Sequence, residues 1–103
     1  MARRKIEFHP AALAEAEAAR DWYAERSLPV ARAFIAELSH AVDRVAAAPQ
    51  RWPLFTPDTR RFVFPRFPFS LIYRLTGTSL QIIAIAHAKR RPGYWQERQP
   101  GGG

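Results

Sequence analysis

Hydrophobic and polar positions along the chain change period more than once, and each change marks an element. From Lys5 to Phe8, Ile6 and Phe8 alternate with Lys5 and Glu7, the two-residue period of a half-buried strand. From Pro10 to about Glu25 the period lengthens. Leu13, Ala16, Ala19 or Arg20, and Tyr23 recur every three or four residues in an Ala-rich stretch, which predicts a helix with one apolar stripe. Pro10 suits its first turn, where a fixed helical φ helps and a missing N–H is not needed. A second helix is predicted from near Pro29, capped by Ser27 or Leu28, to about Ala48, because Pro49 forbids continuation. Its apolar face is Ala31, Phe34, Ile35, Leu38, Val42 and Val45, with Arg32, Glu37, Asp43 and Arg44 elsewhere. The short break at Ser27-Leu28 makes the two helices antiparallel neighbours.

Pro49 to Pro57, punctuated by Pro53, reads as a loop with Trp52, Leu54 and Phe55 tucked under the domain. Strands are predicted at Arg60 to Phe64, Phe69 to Leu75 and Leu80 to His87, the last two joined as a hairpin across Thr76-Gly77-Thr78-Ser79. Pro65 and Pro68 make the first an edge or bulged strand, since proline cannot donate to a ladder. The run Gln81-Ile82-Ile83-Ala84-Ile85-Ala86 is apolar on both faces, which makes the last strand central. The fold class is α+β: strand, helix, helix, strand, strand, strand, with the helix hairpin on one face of a small, largely antiparallel sheet and the other face left for function.

At 103 residues the chain is long enough for one core, so residues 1–98 read as one domain and 99–103, ending in Gly101 to Gly103, as a flexible tail. A hydrophobic fraction of 48% excludes intrinsic disorder. Without cysteine there is no disulfide, thiol nucleophile or Cys-based zinc site, and His9, His40 and His87 show no metal-ligand spacing. No metal and no cofactor is expected. The N-terminus lacks the apolar stretch of a signal peptide and no segment approaches a membrane span, so a cytoplasmic protein with no membrane partner is expected.

Charge changes the picture most. Residues 1 to 58 hold eight basic and eight acidic residues, whereas from Thr59 onward eight basic residues face one acid, Glu97, so this half carries the net charge of +7. Every cation but Lys5 and Lys89 is Arg, which favours planar, bidentate contact with phosphate or carboxylate. Alternation places Phe69, Leu71, Tyr73 and Leu75 on one side of their strand, and Ser70, Ile72 and Arg74 on the other, with Arg74 expected to pair with an acid from the helices. His87 shares parity with Ile83 and Ile85 at a strand end. Phosphate chemistry on RNA needs a base, an acid and cations for the phosphorane oxygens. His87 or Tyr94 would exchange protons, and Arg60, Arg61, Arg90 and Arg91 would supply charge. The bland alternative makes His87 a strand-end residue bonded to backbone, and Tyr94 and Trp95 the seal of a core edge.

Four blocks together resemble toxins of the RelE/ParE superfamily, the stable partners in type II toxin–antitoxin, or plasmid stabilisation, modules. They are Ile6-Glu7-Phe8-His9-Pro10-Ala11-Ala12 leading to Trp22-Tyr23; Pro49-Gln50-Arg51-Trp52-Pro53; Arg60-Arg61 with Phe67 to Arg74; and Ile83 to Trp95. The resemblance implies the architecture above, growth arrest when the toxin is unbound, and a cognate antitoxin whose acidic or amphipathic C-terminal segment covers the basic surface. RelE-like members cleave messenger RNA on the ribosome. Carried over, that activity implies Arg61 in place of a first basic residue, Arg90 or Arg91 in place of a late Arg and Tyr94 in place of a C-terminal Tyr. With His87 as a proton carrier the catalytic candidates are then His87, Arg90 and Tyr94, yet Val63 and Ser70 stand where two further cations are expected. ParE-like members inhibit DNA gyrase without that set, and many close their last strand on an apolar run and His, as Ile85-Ala86-His87 does. The ParE-like reading is therefore preferred, with the ribonuclease and a non-toxic antitoxin-binding domain as alternatives. On any of them Arg60, Arg61, Arg66, Lys89, Arg90, Arg91 and Trp95 are the expected contacts to target, nucleic acid or antitoxin.

Overall fold

A computed structural model describes residues 4–98; the proposed tail at 99–103 lies outside them. Strand β1 (Lys5–Phe8) leads into helices α1 (Pro10–Ala24) and α2 (Leu28–Ala47), then strands β2 (Leu54–Thr56), β3 (Thr59–Val63), β4 (Phe69–Leu75) and β5 (Ser79–His87). The five strands form one sheet in the order β1-β5-β4-β3-β2, antiparallel except where β1 runs parallel to β5. The α+β class and the central position of β5 are as the apolar pattern predicts.

Both helices begin on caps that the sequence supplies. His9 accepts the Ala11 N–H on its Nδ1 at 3.0 Å, and Ser27 accepts the Val30 N–H on its Oγ at 3.3 Å. Pro10 and Pro29 occupy the first turns. The buried stripe of α1 is Ala12, Ala16 and Ala19, and Leu13 is 49% exposed. Alanine on the inner face lets the helix approach β5 closely, which turns the larger Leu13 outwards. On α2 the buried face is Ala31, Phe34, Glu37, Ala41 and Val45, so Glu37 joins the face from which its charge had excluded it, and Ile35 stands partly exposed. Phe34 is the centre of the core, with ring contacts to Tyr23, Phe64, Phe67 and Phe69 at centroid distances of 5.5, 6.0, 5.4 and 5.3 Å.

Two expectations about the sheet need correction. The Pro49–Pro57 stretch contains β2, which pairs with β3, so β3 is internal and the three-residue β2 is the edge. Prolines 53 and 57 flank β2 and hide its pattern, whereas Pro65 and Pro68 lie beyond β3 in the connection to β4. Leu54 is 59% exposed and does not tuck under the domain. The second correction concerns parity. Ile72 pairs with Ala84 and Tyr73 with Ile82, which leaves Ile83 unopposed in a β-bulge. Ile82 and Ile85 therefore both face the helices, while Ile83 and Ala84 both face away. One extra residue reverses the alternation, so His87 shares a face with Ile85 but not with Ile83.

The face away from the helices is not left bare. Ile72, Ile83, Ala84 and Ala86 are covered by the fully buried ring of Trp95, with Phe55 and Tyr94 beside it. A strand apolar on both sides requires cover on both, and the segment after β5 folds back to supply it. Gly93, at φ 87°, makes the turn that permits this.

Candidate functional site

β1 ends at Phe8, paired with Ile82, so the outer edge of β5 beyond that point has no strand beside it. Side chains complete it. Glu15, facing the sheet from α1, accepts the Ile85 N–H at 2.9 Å, and Arg98 donates to the Ile83 carbonyl at 3.0 Å. Arg98 also donates to both Glu15 oxygens, at 3.0 and 2.9 Å, and the Tyr94 hydroxyl donates to Glu15 Oε2 at 2.7 Å. One carboxylate thus ties helix, strand edge and C-terminal segment together. Burial first, then the Glu15 hydrogen bond and charge, raise the Tyr94 pKa far above that of an exposed phenol. The bond to Glu15 raises that of Arg98 as well.

The eight cations of the basic half separate into two groups. Arg66 pairs with Glu37, Arg74 with Asp58 in the β2–β3 turn rather than with a helix acid, and Arg98 with Glu15. Arg60, opposite Tyr73, donates to the carbonyls of Gln50 and Trp52 and so fixes the loop before β2. Among the described residues Arg61, Lys89, Arg90 and Arg91 have no carboxylate partner. Arg61 projects from the face opposite the helices because it pairs with Ile72, and its guanidinium lies 3.9 Å from the centroid of Phe55. Arg90 lies 3.9 Å from the centroid of Tyr94.

Of the residues expected to act together, the fold brings His87, Lys89, Arg90 and Tyr94 onto one groove of about 620 Å³ between α1 and the ends of β4 and β5. Ala18, Ala19, Trp22, Tyr23, Phe69 and Ile85 form its apolar wall. His87 accepts the Lys89 N–H on Nδ1 at 3.0 Å and meets Phe69 edge-on at 5.0 Å. Arg60 and Arg66 hold partners outside this groove, and Trp95 is only 2% exposed, packed against the other face of the sheet. Val63 and Ser70 share the face of Arg61, since Val63 pairs with Ser70.

A family model for the ParE toxin of type II toxin-antitoxin systems, parDE, matches residues 6–92. The chain belongs to that family. Among solved structures, a similar chain from the "Chromosomal ParDE TA system from P. aeruginosa" superposes with a TM-score of 0.73, covering 82% of this chain and 96% of that one at 22% identity, a likeness of fold. No curated protein sequence matches significantly. The ParE match stops at Pro92, so Tyr94, Trp95 and Arg98, which close the second face, lie beyond it. In this ParE toxin no described helix is long and apolar enough to cross a membrane. Among the described residues no three His, Asp or Glu gather as a metal site would require.

Glu15 and Glu37 are the residues that sequence reasoning missed. Both are lone acids on apolar helical stripes, Glu15 between Ala12 and Ala19, Glu37 between Phe34 and Ala41. An acid there must find a partner, and that was the available signal.

Proposed function

We propose that this chain arrests growth by binding and inhibiting DNA gyrase without cutting nucleic acid, and that a cognate antitoxin restrains it. The observation that carries the non-nucleolytic reading is the Tyr94 hydroxyl, which donates to Glu15 and holds its proton more tightly than an ordinary phenol. A residue so committed is a poor general acid or base, because efficient proton transfer calls for a pKa near the working pH. Val63 and Ser70 bring no charge to the positions where a phosphorane would need it. The unpaired Arg61, Lys89, Arg90 and Arg91 suit binding instead.

The groove beside α1 fits an amphipathic, acidic antitoxin segment. Its apolar wall accepts the greasy face of such a segment, and Lys89 and Arg90 at the rim attract its carboxylates. An antitoxin lying there would cover His87 and Arg90 together.

Purified toxin added to gyrase and relaxed plasmid tests the reading: supercoiling should fall and cleaved gyrase–DNA complexes accumulate. Unimpaired supercoiling at concentrations that stop growth refutes the target. Codon-phased cuts in primer extension after induction would establish the ribonuclease reading in its place, and induction without arrest would leave only an antitoxin-binding domain.

A further inference from the structure

We propose that the sheet face away from the helices carries a phosphate-binding pocket formed by Arg61, Ser70, Arg90 and the indole N–H of Trp95. Strand register puts two of these groups together: Arg61 is opposite Ile72 and Ser70 opposite Ala86, and both partners lie in the cluster under Trp95. The four residues, with Phe55 and the end of β5 at His87, wall a pocket of about 60 Å³ that no carboxylate lines. Allowing roughly 10–15 Å³ for each water-sized group, this holds about four to six of them, the size of a tetrahedral oxyanion and too little for a nucleobase.

The donors are held ready. Arg61 is stacked on Phe55 and Arg90 on Tyr94, so the rings position the planar guanidinium groups without consuming their N–H bonds. Neither has a carboxylate partner among the described residues. Trp95 lines this pocket, and its Nε1 is a buried donor with no acceptor among the described residues, a state natural interiors seldom leave unexplained. Two guanidinium forks, an indole N–H and a hydroxyl exceed what the two oxygens of a carboxylate satisfy, and match the oxygens of a phosphate. The pocket does not depend on which enzyme the toxin inhibits.

Titration of the whole chain by heteronuclear NMR tests this, following the Trp95 indole N–H and the Ser70 and Ala86 amides. The probes are inorganic phosphate, acetate at equal ionic strength, and an oligonucleotide with 5′-hydroxyl ends, whose phosphates all lie in its backbone. Phosphate should give a saturable shift at all three signals and acetate should not. Arg61→Ala should weaken it roughly tenfold or more, as loss of a charged hydrogen bond implies. Trp95→Phe should weaken the response at Ser70 and Ala86 with the fold intact, and Arg32→Ala, an exposed cation on α2 outside the pocket, should leave phosphate binding unchanged. An oligonucleotide acting below the phosphate concentration identifies a nucleic-acid backbone as the source, and one without effect identifies a free phosphate. Acetate matching phosphate would overturn the proposal in favour of an acidic peptide. Absence of a saturable shift, or equal weakening by Arg61→Ala and Arg32→Ala, would also overturn it.

Discussion

Replacing Glu15 by alanine should uncouple the C-terminal segment from the rest of the protein. The carboxylate accepts four hydrogen bonds, from Ile85 N, Tyr94 Oη and two nitrogens of Arg98. Its removal strands the Ile85 N–H at an edge that β1 does not reach, and leaves Arg98 with the Ile83 carbonyl alone. Breaking a fully buried ion pair from one side costs about 3–5 kcal/mol. Here the side chains of Arg98 and Glu15 retain 18% and 19% exposure, so water relieves part of the loss. An overall cost of about 2–4 kcal/mol follows, equivalent to a urea midpoint lower by roughly 1–3 M for a domain of this size. Tyr94→Phe deletes one of the four bonds and should cost about 1–2 kcal/mol. Equilibrium urea denaturation followed by circular dichroism gives these values, and a double-mutant cycle of Glu15→Ala with Arg98→Ala should return a coupling of about 1–3 kcal/mol. Amide hydrogen exchange supplies the local signature: protection at Ile85 should fall more than at amides bonded to β4. A Glu15→Ala protein within about 0.5 kcal/mol of the parent, with Ile85 still protected, would refute the reasoning.

Three further outcomes are expected. Burial opposes ionisation of Glu37, but hydrogen bonds from the Arg66 N–H and side chain and the Phe67 N–H outweigh it and lower its pKa. The folded value lies below the unfolded one, so its stabilisation is present above roughly pH 4.3 and disappears as pH falls through the folded value; Glu37→Gln should flatten the pH dependence of the urea midpoint in that acid window. Phe34→Ala opens a cavity at the meeting point of four rings and should cost about 3–5 kcal/mol, measured by thermal or urea denaturation; a loss below about 1 kcal/mol would deny Phe34 its central place. Gly93→Ala imposes a left-handed conformation on a residue with a Cβ and should cost about 1–2 kcal/mol. The new Cβ meets only the flexible end of Gln96, so a much larger loss in the same assay would point to a clash instead of backbone strain.

Much of the fold was legible because it rests on local signals. The prolines, the Ser27 cap and the two hydrophobic periods located both helices and four of the five strands. β2 was hidden because three residues between prolines show no period, and its strand character comes only from pairing with β3. Of the candidate site, the charge asymmetry was plain in the sequence. Which cations were available was not, since Arg60, Arg66, Arg74 and Arg98 differ from Arg61 and Arg90 only in what lies opposite them.

The sequence by itself determined the α+β order, the two-sided apolar demand of the last strand and the concentration of positive charge after Thr59, because each is a sum or a period over neighbouring residues. The tertiary structure decided the rest. A single bulged residue, Ile83, turned His87 towards the helices, and Glu15, some 70 residues from Ile85, closed the strand edge and immobilised the Tyr94 hydroxyl. Bulges and ion pairs of this kind depend on contacts between distant segments, so no local pattern encodes them.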